Sequence, residues 1–293
     1  FQPEVHEIMR KLRQTADEAG DKVLCGEGYV LPLTKMAQWL RPDELHQNFN
    51  FRFLDSHWVE SIIRESIDES LEAFSEVGSQ STWTMNNHDV VRSVSRFGSS
   101  YSRPTQSDGI GPEDIQPDNF VGGGISIGVT FAMLALPGNC YIYQGEELGL
   151  PDHTTIAPEE RQDPTFFRTN GVRVGRDGAR APIPWESDKP NFGFSKAVKT
   201  WLPQPKEYAD YERAGNKTLA IYQAGLLLRK KYNLGLGDFS WLDGEIFGFE
   251  NNQVKVFHNF DTQPKPMPEG EILLSSLGST ETLLPNETVW LVS

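Results

Sequence analysis

Residues 81–89 read Ser81-Thr82-Trp83-Thr84-Met85-Asn86-Asn87-His88-Asp89, and the fold turns on how that stretch is read. Its strand-like start predicts a strand over Thr82–Asn87 that delivers His88 and Asp89 at its end. A strand that finishes in adjacent polar and ionisable side chains presents them outside the packed layer, where a substrate can reach them. A second such end lies upstream, where Lys22-Val23-Leu24-Cys25 runs into Gly26-Glu27-Gly28-Tyr29. Two short strands, each ending in one carboxylate, point to acid/base or charge-stabilising work at the rim of a barrel.

Outward from these ends, strand-like and helix-like segments alternate. Val5, Ile8, Met9, Leu12 and Ala16 recur at helical spacing, which predicts a helix from Glu4 to about Ala19, closed by Gly20. A strand follows over Lys22–Glu27, and a short one over Asn48–Phe51. An amphipathic helix from His57 to Val77 places Val59, Ile62, Ile63, Ile67, Leu71 and Phe74 on one side. After a polar loop from about Gly98 to Asn119 come a helix without charges and a strand over Cys140–Gln144. A long loop rich in Pro, Arg and Asp then runs from Leu150 to Pro205, and a last helix covers Lys217–Tyr232. Strands separated by helical periodicity indicate βα units on a parallel sheet.

From Trp241 the pattern changes to short runs parted by turn residues: Ile246–Phe249, Val254–Phe257, Ile272–Leu274 and Thr288–Val292. This predicts a small antiparallel β domain over residues 236–293, behind an α/β domain over residues 1–235. Four βα units cannot close a barrel, so the parallel set is an open sheet or a piece of something larger.

The bulk properties narrow the partners. The 293 residues carry a formal net charge of −14. Such a carboxylate excess repels nucleic-acid phosphates and offers no polybasic anchor to anionic lipid. Neutral small molecules are least affected by that field. Asn119–Gly145 is uncharged and long enough to span a bilayer. Gly122-Gly123-Gly124 and the break at Pro137-Gly138-Asn139 instead predict a buried helix, a turn and a buried strand. Cys25 and Cys140 sit in apolar runs, which predicts buried free thiols and a cytoplasmic location.

Gly26-Glu27, Asn87-His88-Asp89, Tyr143-Gln144-Gly145-Glu146-Glu147-Leu148-Gly149 and Gly175-Arg176-Asp177-Gly178-Ala179-Arg180-Ala181-Pro182-Ile183-Pro184-Trp185 occur in that order. Together they resemble the α-glucosidases of the α-amylase family, glycoside hydrolase family 13. Gln2-Pro3-Glu4-Val5-His6-Glu7-Ile8 and Arg161-Gln162-Asp163-Pro164 resemble its bacterial α-glucosidase branch. The resemblance implies a (β/α)₈ TIM barrel followed by an antiparallel β domain, with the strands here corresponding to barrel strands five to eight. It makes Glu27 the general acid/base and Asp89 the carboxylate that grips sugar hydroxyls and stabilises the transition state. His88 would bond hydroxyls of the same ring, and Arg176 would fix the non-reducing end of the glucose. The implied activity is a retaining α-glucosidase acting on short α-glucosides, with transglucosylation as a related outcome.

The family's nucleophilic Asp, in a Gly-Phe-Arg-Ile-Asp-like motif, has no counterpart in this sequence. The chain therefore resembles the C-terminal half of such an enzyme, expected to be inactive alone and to need the N-terminal half of the same barrel as partner. The opening Phe1-Gln2-Pro3 carries the same expectation that residues precede it. A relative of another kind, a non-catalytic subunit for binding or trafficking, would be expected to have lost carboxylates that Glu27 and Asp89 retain.

Plainer readings stand beside these roles. Glu27 could be a solvated strand-end residue, Asp89 a helix N-cap and His88 a satisfied core histidine. Arg173 and Arg180 compete with Arg176, and any of them could pair with Asp177. Glu146 and Glu147 read as loop-ordering residues, and Glu159-Glu160-Arg161-Gln162-Asp163 as a solvated lid segment. Most of the seven tryptophans should be core, with Trp185 the one placed to contact substrate. No metal or other cofactor is expected, because carboxylate acid/base and covalent chemistry needs none.

Overall fold

The structure, a computed structural model, describes residues 2–99 and 108–293. Part of the loop expected between Gly98 and Asn119 lies outside these residues.

Pro3 opens α1 (Pro3–Glu18), where its fixed φ and missing N–H are harmless. Gly20, at φ +93°, turns the chain out of it. The helix docks through Met9, packed against the cluster of Leu33, Met36 and Phe74, and through its polar side. The buried carboxylate of Glu44 lies 2.7 Å from His6 Nδ1 and 3.1 Å from Arg10 Nη1. Of the apolar residues that mark α1 in the sequence, Ala16 is buried while Ile8 and Leu12 stay exposed.

Four short strands run parallel: β1 (Cys25–Gly26), β2 (Gln47–Asn48), β3 (Thr82–Thr84) and β4 (Asn139–Tyr141). β1 pairs with β2, a bridge from Phe49 to Thr82 joins the β2 segment to β3, and β3 pairs with β4. They lie side by side in chain order, as successive βα units place them. Each is shorter than its sequence pattern, because side chains replace ladder partners. Thr84 Oγ1 donates to Asn86 O at 2.9 Å, and Arg96 Nη2 to Met85 O at 2.8 Å, so β3 stops well before Asn87. The strand expected over Asn48–Phe51 breaks at Asn50, whose Oδ1 accepts the Phe53 amide at 3.3 Å and starts a helical turn.

Between these strands lie α2 (Leu33–Ala37), α3 (Phe51–Leu54), α4 (Glu60–Ser75), α5 (Ser93–Gly98) and α6 (Asn119–Leu134). α4 buries Ile63, Ile67 and Phe74, the stripe its periodicity marks. After β4 come α7 (Pro164–Arg168), α8 (Asp177–Arg180) and α9 (Lys217–Lys231), the last capped by Asn216 Oδ1 on Leu219 N at 2.9 Å.

The C-terminal strands are β5 (Phe239–Trp241), β6 (Phe247–Asn251), β7 (Val254–His258), β8 (Lys265–Pro266), β9 (Glu271–Ser275), β10 (Thr282–Leu283) and β11 (Thr288–Val292). Five form an antiparallel sheet in the order β5-β6-β7-β11-β9, and β8 pairs with β10. Phe247 and Phe249 of β6, with Val254 and Val256 of β7, face inward at every second position.

α6 sits at the join. Its Phe131, Met133 and Leu134 share one core with Trp83 of β3, Tyr222 of α9, and Phe249, Val256 and Trp290 of the C-terminal sheet. Trp290 Nε1 donates to Phe131 O at 3.0 Å, and Thr288 Oγ1 to Gly128 O at 2.7 Å. A Cβ on Gly128 would stand 2.1 Å from Asn286 O, so the glycine there permits the approach. The absence of charge in this helix thus reflects packing on several sides. No helix of the described residues is long and apolar enough to cross a membrane.

Two thiol expectations divide. Cys140 is half-buried, but Cys25 is exposed. It pairs with Gln47 across β1 and β2, and its free edge meets no further strand among the described residues.

Candidate active site

Glu27 follows β1 directly, and His88 and Asp89 follow β3 after a short turn. The turn is fixed locally: Asn87 Oδ1 accepts the Asp89 amide at 2.8 Å, and Asn86 Oδ1 the Ser93 amide at 2.5 Å. Asp89 is therefore not a helix N-cap, because α5 begins only at Ser93, with Arg92 in the cap position. Glu27, His88 and Asp89 each bring one side-chain atom within 4.8 Å of the others. Two carboxylates and an imidazole at that spacing could also ligate a cation, and among the described residues they are the cluster that could. Glu27 and Asp89 face a hollow of about 640 Å³ that also takes in Tyr29, Phe51, Asp55 and Asn87.

Arg176 enters from the far loop. Its Nη1 donates to Asp89 Oδ1 at 2.8 Å, and Arg180 Nη2 donates to the same oxygen at 2.7 Å. His88 Nε2 lies 3.4 Å from that oxygen too. All four residues singled out in the sequence, Glu27, His88, Asp89 and Arg176, are thus brought together. The competing arginines are also placed. Arg180 shares Asp89 and donates from Nε to His88 O at 2.8 Å, whereas Arg173 pairs with Asp108. None of the three binds Asp177, whose Oδ2 accepts the amides of Gln162 and Asp163 at 2.8 and 3.0 Å.

Asp163 is the site residue that sequence reasoning missed. The segment Glu159–Asp163 was expected to be solvated, but Arg161 and Asp163 within it are buried. Asp163 Oδ2 accepts from Arg176 N at 2.9 Å and from Arg176 Nε at 2.7 Å, while its Oδ1 caps α7 through Thr165 N at 2.8 Å. Burial alone would push this carboxyl up. Hydrogen bonds from Arg176 and the Thr165 amide outweigh it and hold the group well below the usual carboxylate range. The same contacts raise the Arg176 guanidinium above its ordinary value. Gly175, at φ +73°, makes the fit: a Cβ there would lie 2.8 Å from Asp163 Cγ. The available signal was the Asp-Pro step itself, an N-cap followed by Pro at the first helical position.

Arg92 ties the three contributing loops. Its buried guanidinium donates to Gln144 O beyond β4 at 2.7 Å and to Ala179 O in α8 at 2.9 Å, and its amide donates to Asp152 Oδ1 at 2.8 Å. Burial pushes the Asp152 carboxyl up to about 6 and pulls the Arg96 guanidinium, which holds the Asp89 turn, down to about 10. Glu146 and Glu147 order the loop after β4. Glu146 is buried, with its Oε1 3.2 Å from both Thr130 Oγ1 and Tyr222 OH, and Glu147 Oε2 accepts the Gly145 amide at 2.8 Å. Trp185 lies half exposed beneath the Arg213 guanidinium, 4.7 Å from its ring centroid.

Comparisons with known proteins bear on the fold that carries this arrangement. Residues 124–236 match the family described as "Alpha amylase, catalytic domain". A probable alpha-glucosidase of Rhizobium meliloti is 29% identical over 266 residues, covering 83% of this chain and 44% of that protein. The oligo-1,6-glucosidase IMA5 of Saccharomyces cerevisiae is 26% identical over 254 residues, covering 71% of this chain and 41% of that protein. Among solved structures, the alpha-glucosyl transfer enzyme XgtA matches with a TM-score of 0.77 at 24% identity, over 100% of this chain and 55% of that one. That last likeness speaks for the fold. The chain spans less than half the length of these two curated relatives.

Proposed function

Because this chain belongs to the α-amylase family, we propose that its site forms part of a retaining α-glucosidase that removes glucose from the non-reducing end of short α-glucosides. The observation that carries the reading is the convergence of Glu27, His88 and Asp89 within 4.8 Å at the ends of parallel strands.

In this reading Glu27 is the general acid/base. It gives its proton to the glycosidic oxygen as the bond to the anomeric carbon breaks, then takes a proton from water in the second displacement. Asp89 grips ring hydroxyls and offsets positive charge developing on the sugar. Two guanidinium groups on its Oδ1, at 2.7 and 2.8 Å, damp its nucleophilicity, which suits holding better than attacking. Its Oδ2 and the His88 imidazole supply the directional partners a diol needs. Arg176 fixes the non-reducing end. A carboxylate nucleophile completes the pair and forms the covalent glucosyl intermediate.

The domain reading belongs to the same proposal. Residues 1–235 make strands five to eight of a (β/α)₈ barrel, and residues 236–293 a separate β domain. The N-terminal half of the barrel, with its nucleophile, docks along the free edge of β1, where Val23 and Tyr29 lie exposed beside the strand. The substrate is a neutral α-glucoside and the location cytoplasmic.

The test joins this chain to such an N-terminal half and follows maltose by proton NMR. Release of α-glucose before mutarotation supports the reading. Release of β-glucose first, or no hydrolysis of any α-glucoside by the folded protein, overturns it.

A further inference from the structure

A second hollow, of about 340 Å³, forms between the segment after α8 and residues 159–162, and shares no lining residue with the hollow around Glu27 and Asp89. Trp201 lines it with 66% of its surface exposed. An indole left that open forgoes burial a globular chain ordinarily takes. Beside it, Asn191 and Phe192 both lie in the left-handed region, at φ 49° and 48°. A bulky side chain holds that conformation only where its surroundings enforce it.

Here they do. Phe192 O accepts the amides of Trp185 and Glu186 at 2.8 and 3.0 Å. Asn191 Nδ2 donates to Ser195 O at 3.0 Å and to Ala197 O at 2.7 Å. Across the hollow, Gln204 Nε2 donates to Pro182 O at 3.1 Å, which orients that amide as well. The wall is therefore pre-organised, and pre-organisation is what lowers the entropy lost on binding a small ligand.

The lining also selects a chemistry. Its carboxylates, Glu159 and Glu160, are balanced by the ammonium groups of Lys189 and Lys199, so no net charge favours an ionic ligand. An open aromatic face flanked by oriented amides and charged hydrogen-bonding groups suits a pyranose, whose C–H face stacks while its hydroxyls need directional partners. The geometry points to a second sugar-binding site, in which one neutral hexose unit of a short oligosaccharide stacks on Trp201. That the hexose is glucose rests on the proposed function above; the choice of a neutral sugar does not.

The test is a maltose titration followed on the indole ¹⁵N–¹H resonances, with Trp201 assigned by its disappearance in Trp201→Phe. Trp201 should shift saturably in the millimolar range, the affinity expected of one stacked ring and a few hydrogen bonds. The shift should persist in Asp89→Asn, and in Trp201→Ala the side-chain amide of Gln204 should stop responding. A Trp201 resonance that does not move, that moves without saturating, that moves equally with glycerol, or that stops responding in Asp89→Asn overturns the second site. Because Trp201 is exposed, its replacement leaves the core untouched. If Trp201 responds while the completed barrel hydrolyses no α-glucoside, this site stands and the glucosidase reading falls. Hydrolysis with a silent Trp201 means the reverse.

Discussion

Arg176 Nη1 donates to Asp89 Oδ1 at 2.8 Å, joining a residue beyond β3 to one in a loop 87 positions later. A guanidinium so placed needs its own anchor, and Asp163 supplies it through Arg176 N and Nε. The result is a chain of charge-assisted bonds from Asp163 through Arg176 to Asp89, with Arg180 as a second hold on the same carboxylate.

Asp163→Asn should weaken that anchor while keeping the cap of α7, because Asn caps as well as Asp. With this chain joined to the N-terminal half proposed above, a loss of about 10–100-fold in kcat/KM is expected, the range for removing a charged support behind a site residue. The Arg176 ¹⁵Nε–¹H resonance should also move upfield and exchange faster. An unchanged resonance would show that Asp163 does not position Arg176.

Arg92→Leu should destabilise the protein by about 3–5 kcal/mol. It leaves Gln144 O without the Arg92 donor, Ala179 O with only the Tyr143 hydroxyl, and Asp152 with only Arg96 as a nearby cation. The urea midpoint should fall with little change in m-value. A midpoint within error of the parent would remove Arg92 as the tie between the loops.

Gly128→Ala should cost about 1–3 kcal/mol by overpacking. The added Cβ stands 2.1 Å from Asn286 O, so α6 and the C-terminal sheet must separate. Weakened amide protection at Trp290 and Thr288 is the direct sign. Gly123→Ala, with nothing within 4 Å of its added Cβ, is the matched control and should be neutral or stabilising.

Two buried histidines should each contribute stability that rises with pH from about 4 to about 6.5. His258 Nε2 accepts from the Trp58 indole at 3.1 Å, so its ring proton sits on Nδ1, 2.8 Å from Thr288 Oγ1. Burial lowers this imidazole to about 3, and burial with Arg161 lowers His153 to about 4. In that window the unfolded chain binds these protons and the folded chain does not, so stability is lost as pH falls. Asp152 opposes them: raised to about 6, it keeps its proton in the folded state and so favours lower pH. Glu146, also raised by burial, opposes them in the same sense, so the test lies in the separate contributions. In urea melts across the window, His258→Asn should make the change of stability with pH less positive and Asp152→Asn should make it more positive.

Legibility in the sequence followed locality. The strands that lead to Glu27 and Asp89, the stripe of α4 and the turn-punctuated C-terminal strands are written in short-range patterns, and the structure has them, with Asp89 reached through a turn beyond β3. Strand lengths were not legible, because Asn50, Thr84 and Arg96 end the ladders with side-chain bonds that periodicity does not register. The choice among Arg173, Arg176 and Arg180 was likewise invisible, since it depends on which carboxylate each arginine meets across the fold. Asp163 sat in a run of charges that looks solvated, and only the glycine at 175 makes room for it. Ile8 and Leu12 read as part of a core stripe, yet only Met9 and Ala16 of that stripe pack inward, and Glu44, a long-range partner, supplies the rest of the hold on α1.

The most direct test of the acid/base role is maltose hydrolysis by the completed barrel carrying Glu27→Gln. Loss of the general acid should lower kcat/KM by about 10²–10⁴-fold, with folding unchanged because Glu27 is exposed. Added azide should restore turnover of an aryl α-glucoside whose leaving group needs no proton. Maltose hydrolysis by Glu27→Gln at the parental rate would contradict the assignment and, with it, the reading of these strand ends as a glycosidase site.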